Sequence, residues 1–301
     1  MKCWRVACYV ALVLLGLHSS RAGTLAQFRT VFGDLEVELY DQQKPVTVQN
    51  FRRLVQSGAY QNTFFHRAVP GFVVQGGGYF TTRRFSTNDF APPWSHLGRV
   101  PNFGSISNEF NVGPQFSNTN GTIAMAKLGG DPNSATCEWF FNLANNSANL
   151  DNQNGGFTVF GRVVRDTGST NYGGVLGLFN HIAYYQGLVN MRWWFGTNDN
   201  YANICNSLPV TYFIYYAQPP WYSDLFYVDI SLLNVQVAAK SNGTREISWN
   251  SVTSKVNYVE FTTNFPPVWN TLLSTNGTGG TVTATDASPG SYRFYRVRVA
   301  Y

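Results

Sequence analysis

FHRAVPGFVVQGGG, residues 65–78, decides how this chain is read. It places phenylalanines, His66, Arg67, Pro70 and a glycine triplet together. Three successive glycines permit close backbone approach and positive φ, so a preceding strand can end abruptly at a surface. The triplet is not a nucleotide loop, because it lacks GxGxxG spacing and no Walker lysine follows. A GxSxG elbow is absent from the whole chain, which removes that hydrolase reading.

Outward from this stretch the chain reads as short strands. Phe28 and Val31, then Leu35, Val37 and Leu39, alternate around Gly33-Asp34, which predicts a hairpin turning at those two residues. Pro45 suits a first helical turn, Val48, Phe51, Leu54 and Val55 share one helical face, and Gly58 supplies a stop. Strand-like runs follow at Phe64–Arg67, Phe72–Gln75, Gly121–Ala126, Glu138–Leu143 and Phe157–Val164, and a second helix is expected over Val175–Ala183. Tyr184–Tyr222 is an aromatic-rich, insertion-like stretch, with Trp193, Trp194, Tyr212, Phe213, Tyr215, Tyr216 and Trp221. It is open to two readings, an exposed recognition platform or packing against the barrel or the C-terminal domain. Leu225–Leu233 reads as a late strand.

Several ordered segments resemble the cyclophilins. FHRAVPGFVVQGGG is similar to that family's FHR, PGF and QGG signature. GDLEVELYDQQKPVTVQNF resembles its opening hairpin and helix, GTIAMAKLGGDPNSAT its central strand and loop, and WFFNLANNSANLD with GFTVFGRVV its closing strands. The resemblance implies a mainly β fold: an eight-stranded antiparallel barrel capped by two helices, over residues 25–237. It also implies peptidyl-prolyl cis/trans isomerase activity on proline-containing polypeptides, with no cofactor and no metal. Arg67 matches the catalytic position; Phe72, Val73, Gln75, Ala126, Lys127, Glu138, Phe140, Leu150 and Phe157 match the peptide groove. Glu138 replaces the usual Gln, and either accepts a hydrogen bond or pairs with Arg67 and dulls it. Asn149 stands where an aromatic is common. Beside the catalytic reading, Arg67 is open to a surface pairing with Glu109 or Asp131. A barrel that grips proline segments without efficient turnover is the competing reading of the whole.

At the N-terminus Lys2 and Arg5 precede an apolar run from Val6 to Leu17, and small residues end near Ala22. This reads as a signal peptide over residues 1–22, with export to a periplasmic, extracellular or cell-surface location. About 12 apolar residues fall short of a membrane span. Losing Lys2, Arg5 and Arg21 lowers the formal charge from +5 to +2, and without a Lys/Arg run nothing predicts nucleic-acid binding. Cys137 and Cys205 are open to pairing or to remaining buried thiols. Composition shifts near Ala238–Gly243, an expected linker; residues 240–301 then read as a small β-sandwich resembling fibronectin type III modules, and so as a possible surface or partner attachment.

Overall fold

The computed structural model describes residues 24–168, 170–182, 187–211, 218–233, 235–251, 256–264, 268–278, 280–290 and 292–300. The expected signal peptide and Tyr184, Tyr212, Phe213, Tyr215 and Tyr216 lie outside them. In chain order come β1 (Leu25–Thr30), β2 (Gly33–Leu39), α1 (Pro45–Gln56), β3 (Arg67–Val69), β4 (Val73–Gly76) and a hairpin of β5 (Tyr79–Thr81) and β6 (Leu97–Arg99). They are followed by β7 (Thr122–Met125), β8 (Trp139–Asn142), α2 (Ser147–Leu150), β9 (Val159–Asp166) and α3 (Val175–His181). A second small hairpin, β10 (Leu188–Val189) and β11 (Leu208–Pro209), encloses α4 (Arg192–Phe195) and α5 (Asn200–Ile204), and β12 (Asp229–Leu233) ends this part.

Eight of these strands form one antiparallel sheet in the order β12-β1-β2-β9-β7-β8-β4-β3. The sheet curls until its ends meet: Phe65 N–H donates to Phe226 C=O at 3.0 Å and Val228 N–H to Thr63 C=O at 3.0 Å. Successive side chains on a strand face opposite sides, and each strand here has one face inside. Trp139 and Phe141, Val74, Ile123 and Met125, and Phe160 point into the barrel core. Their neighbours Phe140, Val73, Ala124 and Val159 form a separate cluster outside. The helices close the interior: Phe51 of α1 meets Phe28 and Phe160 (ring centroids 5.8 and 5.3 Å), and Phe179 of α3 meets Phe65 and Phe226 (4.9 and 4.6 Å).

Two expectations about turns are corrected. The first hairpin turns at Val31-Phe32, since Thr30 pairs with Gly33. Gly33 is needed for another reason: at φ +137° it lies so close to Gly168 that a Cβ would sit 2.5 Å from that residue's Cα. Ala238–Gly243 is not a linker throughout. Ala238 and Ala239 end β13 (Gln236–Ala239), and Lys240–Gly243 form the turn into β14 (Arg245–Asn250).

β13 and β14 pair with β17 (Thr281–Asp286), while β15 (Val256–Thr262) lies between β16 (Asn270–Asn276) and β18 (Phe294–Ala300). The two three-stranded sheets share a core of Ile247, Trp249 and Ala284 from one and Val259 and Val297 from the other. Trp249 Nε1 donates to Asn257 Oδ1 across it at 3.1 Å. Among the described residues no helix is long and apolar enough to cross a membrane.

Candidate functional site

Sheet register sets the site. Arg67 of β3 pairs with Gln75 of β4, Gln75 with Phe140 of β8, and Phe140 with Ala124 of β7. The four residues form one row across four strands, and the period of two puts them on the outer face, because their neighbours Ala68, Val74, Phe141 and Ile123 belong to the core. Phe72, Val73, Ala126, Phe140, Leu150 and Phe157 gather beside this row in one apolar cluster. Phe140 and Phe157 meet edge to face with centroids 5.8 Å apart. Six of the nine groove positions expected from sequence are thereby brought together. The cluster also holds Tyr40 and Phe116, which the sequence reading did not single out; Phe116 sits in a loop of Gly, Pro and Asn with no periodicity to mark it.

The glycine triplet ends β4 as its composition implies. Gly77 has φ +77°, and a Cβ there would lie 2.7 Å from the Cys137 carbonyl oxygen. Beside the triplet, the Glu138 carboxylate accepts from Gln75 Nε2 at 2.7 Å and lies 3.6 Å from His66 Nε2. Burial alone raises its carboxyl, but hydrogen bonding and charge from His66, together with Gln75 and Arg99, outweigh this and hold it below the usual carboxylate value. His66 is buried, with Tyr79 edge-on at 5.0 Å.

Arg67 is half-buried on β3. The two carboxylates named beside it from sequence have structural roles of their own. Glu109 accepts from Val46 N–H, Thr47 N–H and Thr47 Oγ1 at the start of α1 (3.1, 2.7 and 2.7 Å), and Asp131 accepts from Asn133 N–H in its own turn at 2.9 Å. Lys127 is turned toward the rim. Its Nζ donates to the Asn154 and Gly156 carbonyls at 2.7 Å each and lies 4.6 Å from the Phe157 ring centroid. Burial pushes this ammonium down to about 8, with Asp131 opposing the shift.

The short strand β3 would otherwise offer an open edge. The inserted segment covers it: Ala68 N–H donates to Ser207 C=O at 2.7 Å, and Ser207 Oγ donates back to Ala68 C=O. Asn180 of α3 accepts from Gly71 N–H and donates to Leu143 C=O, both at 2.8 Å, fixing the turn before Phe72. The insertion is itself packed. Trp194, Phe195 and Tyr201 join Tyr79, Phe90 and Trp94 in a second core, although Trp193 and Trp221 stay exposed. Cys205 lies in that core and Cys137 in the barrel core, both as free thiols, so the two do not pair.

Together these features define a class of closed β-barrel with two capping helices that carries an Arg–Gln–Phe row and an apolar cluster on its outer face. Residues 25–171 match the family described as cyclophilin type peptidyl-prolyl cis-trans isomerase. A peptidyl-prolyl cis-trans isomerase of Acinetobacter baylyi is 35% identical over 162 residues, covering 54% of this chain and 77% of the relative. Peptidyl-prolyl cis-trans isomerase B of Escherichia coli is 35% identical over 144 residues, covering 46% and 77%. A Cryptosporidium parvum cyclophilin crystallised in the presence of the dipeptide Ala-Pro is a more distant likeness, 23% identical with a TM-score of 0.38, covering 53% of this chain and 86% of the other. The chain belongs to the cyclophilin type peptidyl-prolyl cis-trans isomerase family.

Proposed function

We propose that this isomerase acts on X-Pro bonds of exported polypeptides as a folding catalyst, with Arg67 as the electrostatic catalyst. The alignment of Arg67, Gln75 and Phe140 on one outer face, directly beside the apolar cluster, carries the reading. An X-Pro bond turns over a barrier of about 18 to 20 kcal/mol because amide resonance must be broken. No bond is cleaved, so a socket and a donor suffice. Phe72, Val73, Phe140, Leu150 and Phe157 supply an apolar socket for the ring, while Gln75 and the backbone around Ala126 and Lys127 face the peptide chain. As the amide twists, the proline nitrogen regains its lone pair, and a guanidinium held on β3 donates to it. That contact exists only in the twisted state, so it lowers the barrier. Glu138 assists by holding the Gln75 side-chain amide.

The charged N-terminal segment and its 12-residue apolar run support export. The two C-terminal sheets, in strand count and spacing, support a fibronectin type III-like module suited to attachment or spacing. An X-Pro isomerisation assay on the mature chain and its Arg67→Ala variant tests the site. Loss of about a hundredfold to a thousandfold in kcat/KM is expected, the scale of removing one transition-state donor. An active Arg67→Ala variant, folded and at wild-type rate, places the chemistry elsewhere.

A further inference from the structure

Behind the groove three asparagines are buried where apolar residues would fill the space more cheaply. Asn118 and Asn142 are 0% exposed and Asn146 is 8% exposed. A buried amide costs free energy unless its hydrogen bonds are made, and here each bond runs in one direction. Asn146 Nδ2 donates to Asn142 Oδ1 at 2.8 Å, Asn142 Nδ2 to Asn118 Oδ1 at 3.1 Å, and Asn118 Nδ2 to Asp151 Oδ1 at 2.8 Å. Each amide also donates a second time. Asn146 reaches the Phe72 carbonyl at 2.8 Å, Asn142 reaches Thr122 Oγ1 at 2.9 Å, and Asn118 reaches the Phe157 carbonyl at 3.0 Å.

We infer that Asn142, with Asn118 and Asn146, positions Phe72, Leu150 and Phe157 against Phe140, setting the width of the pocket that grips the proline ring. The inference rests on the pocket proposed above. Asn142 lies two residues beyond Phe140 on β8, and so on the same face. From there the ladder spans the pocket, with one end on the backbone of Phe72 and the other on that of Phe157. The main chain repeats the connection: Asn146 N–H donates to Asn118 C=O, Leu150 N–H to Asn146 C=O and Phe157 N–H to Leu150 C=O, at 2.8, 2.8 and 3.0 Å. An amide nitrogen cannot accept and an amide oxygen cannot donate. Flipping one asparagine breaks bonds on both sides, so the ladder holds a single orientation, and its anchor is the Asp151 carboxylate, which also accepts Asn118 N–H at 2.9 Å. Asn118 and Asn142 are sealed from solvent and touch no peptide; they are positioning residues.

A pocket that grips the ring equally in ground and transition states contributes uniform binding, so its distortion raises KM and leaves kcat nearly unchanged. The full mature chain, its Asn142→Ala, Asp151→Ala and Phe140→Ala variants are compared for KM and kcat on a proline-containing peptide. Asn142→Ala and Asp151→Ala are expected to raise KM by about tenfold and about threefold, with kcat within about twofold of wild type. A merely structural role lowers thermal stability but leaves the KM of the folded fraction unaltered. Asp151 lies nearer the surface, so its variant reads the ladder even if Asn142→Ala fails to fold. An unchanged KM in folded Asp151→Ala overturns the inference. If Phe140→Ala raises KM while Asp151→Ala does not, only the ladder fails; if Phe140→Ala leaves KM unaltered, the pocket reading fails with it.

Discussion

Glu138 shows how much one side chain depends on its partners. From sequence it is open to two roles, and the structure shows it accepting from Gln75 with His66 nearby. Its folded-state carboxyl lies below the ordinary 4.5 despite the opposing effect of burial. Such a group binds its proton less tightly in the folded chain, so its stabilisation is complete above the unfolded value and is lost as pH falls through the lower folded value. Chemical denaturation at stepped pH below 4.5 should therefore show wild type losing more stability than Glu138→Gln, while the two respond alike near neutrality. An equal acid response in both would remove the stabilising role. Activity of the same variant bears on turnover: a large gain over wild type favours the proline-gripping reading over the efficient isomerase. Lys127 teaches the converse. Its position in AMAK marks the groove, but only its contacts with the Asn154 and Gly156 carbonyls show that the ammonium faces the rim.

At the scale of elements, α1 was legible from Pro45 and its apolar face, yet what satisfies its first turn was not. The donors at Val46 and Thr47 are capped by Glu109, more than 60 residues away in sequence. Lys44, 1% exposed, fixes the same loop by donating to the Glu109, Phe110 and Val112 carbonyls. Glu109→Ala removes three bonds to a buried carboxylate, and urea denaturation should register a loss of about 2 to 3 kcal/mol. A change below about 0.5 kcal/mol would mean that water caps the helix equally well. Strands rich in apolar residues were found as short runs between turn residues, including β8 and β9. β16 carries no such signal, because its run Asn270–Asn276 is mostly exposed.

Across the whole molecule, the described residues form three cores besides the groove cluster. One fills the barrel, a second ties the insertion to the segment around Tyr79–Leu97, and the third lies between the C-terminal sheets. The groove cluster draws no residue from the C-terminal sheets. Where barrel and sheets meet, Asn250 Nδ2 donates to Leu232 C=O beside a crevice of about 240 Å³ lined by Arg52, Gln56, Gln236 and Ser248. A chain ending at Leu233 should fold and keep kcat/KM within about twofold of full length, since uniform and transition-state contacts both stay in place. The same assay used for Arg67→Ala checks this; a loss beyond about tenfold would assign the sheets a part in catalysis. The insertion is different, because Ser207 bonds directly to the strand that carries Arg67.

Local pattern by itself determined the hairpin strands and both capping helices, since each depends on neighbours a few residues apart, whereas only the packed barrel separates Trp139 inside from Phe140 outside, both of them buried. The motif order marked Arg67 and the apolar groove positions, six of which the fold gathers into one cluster. Tertiary structure decided everything that joins distant segments: the Glu109 cap, the asparagine ladder, the separation of Cys137 from Cys205 and the sealing of β3 by Ser207. The physical reason is that a buried hydrogen bond or thiol contact is set by which segments the packed chain brings within about 3 to 4 Å, and local periodicity carries no record of that distance.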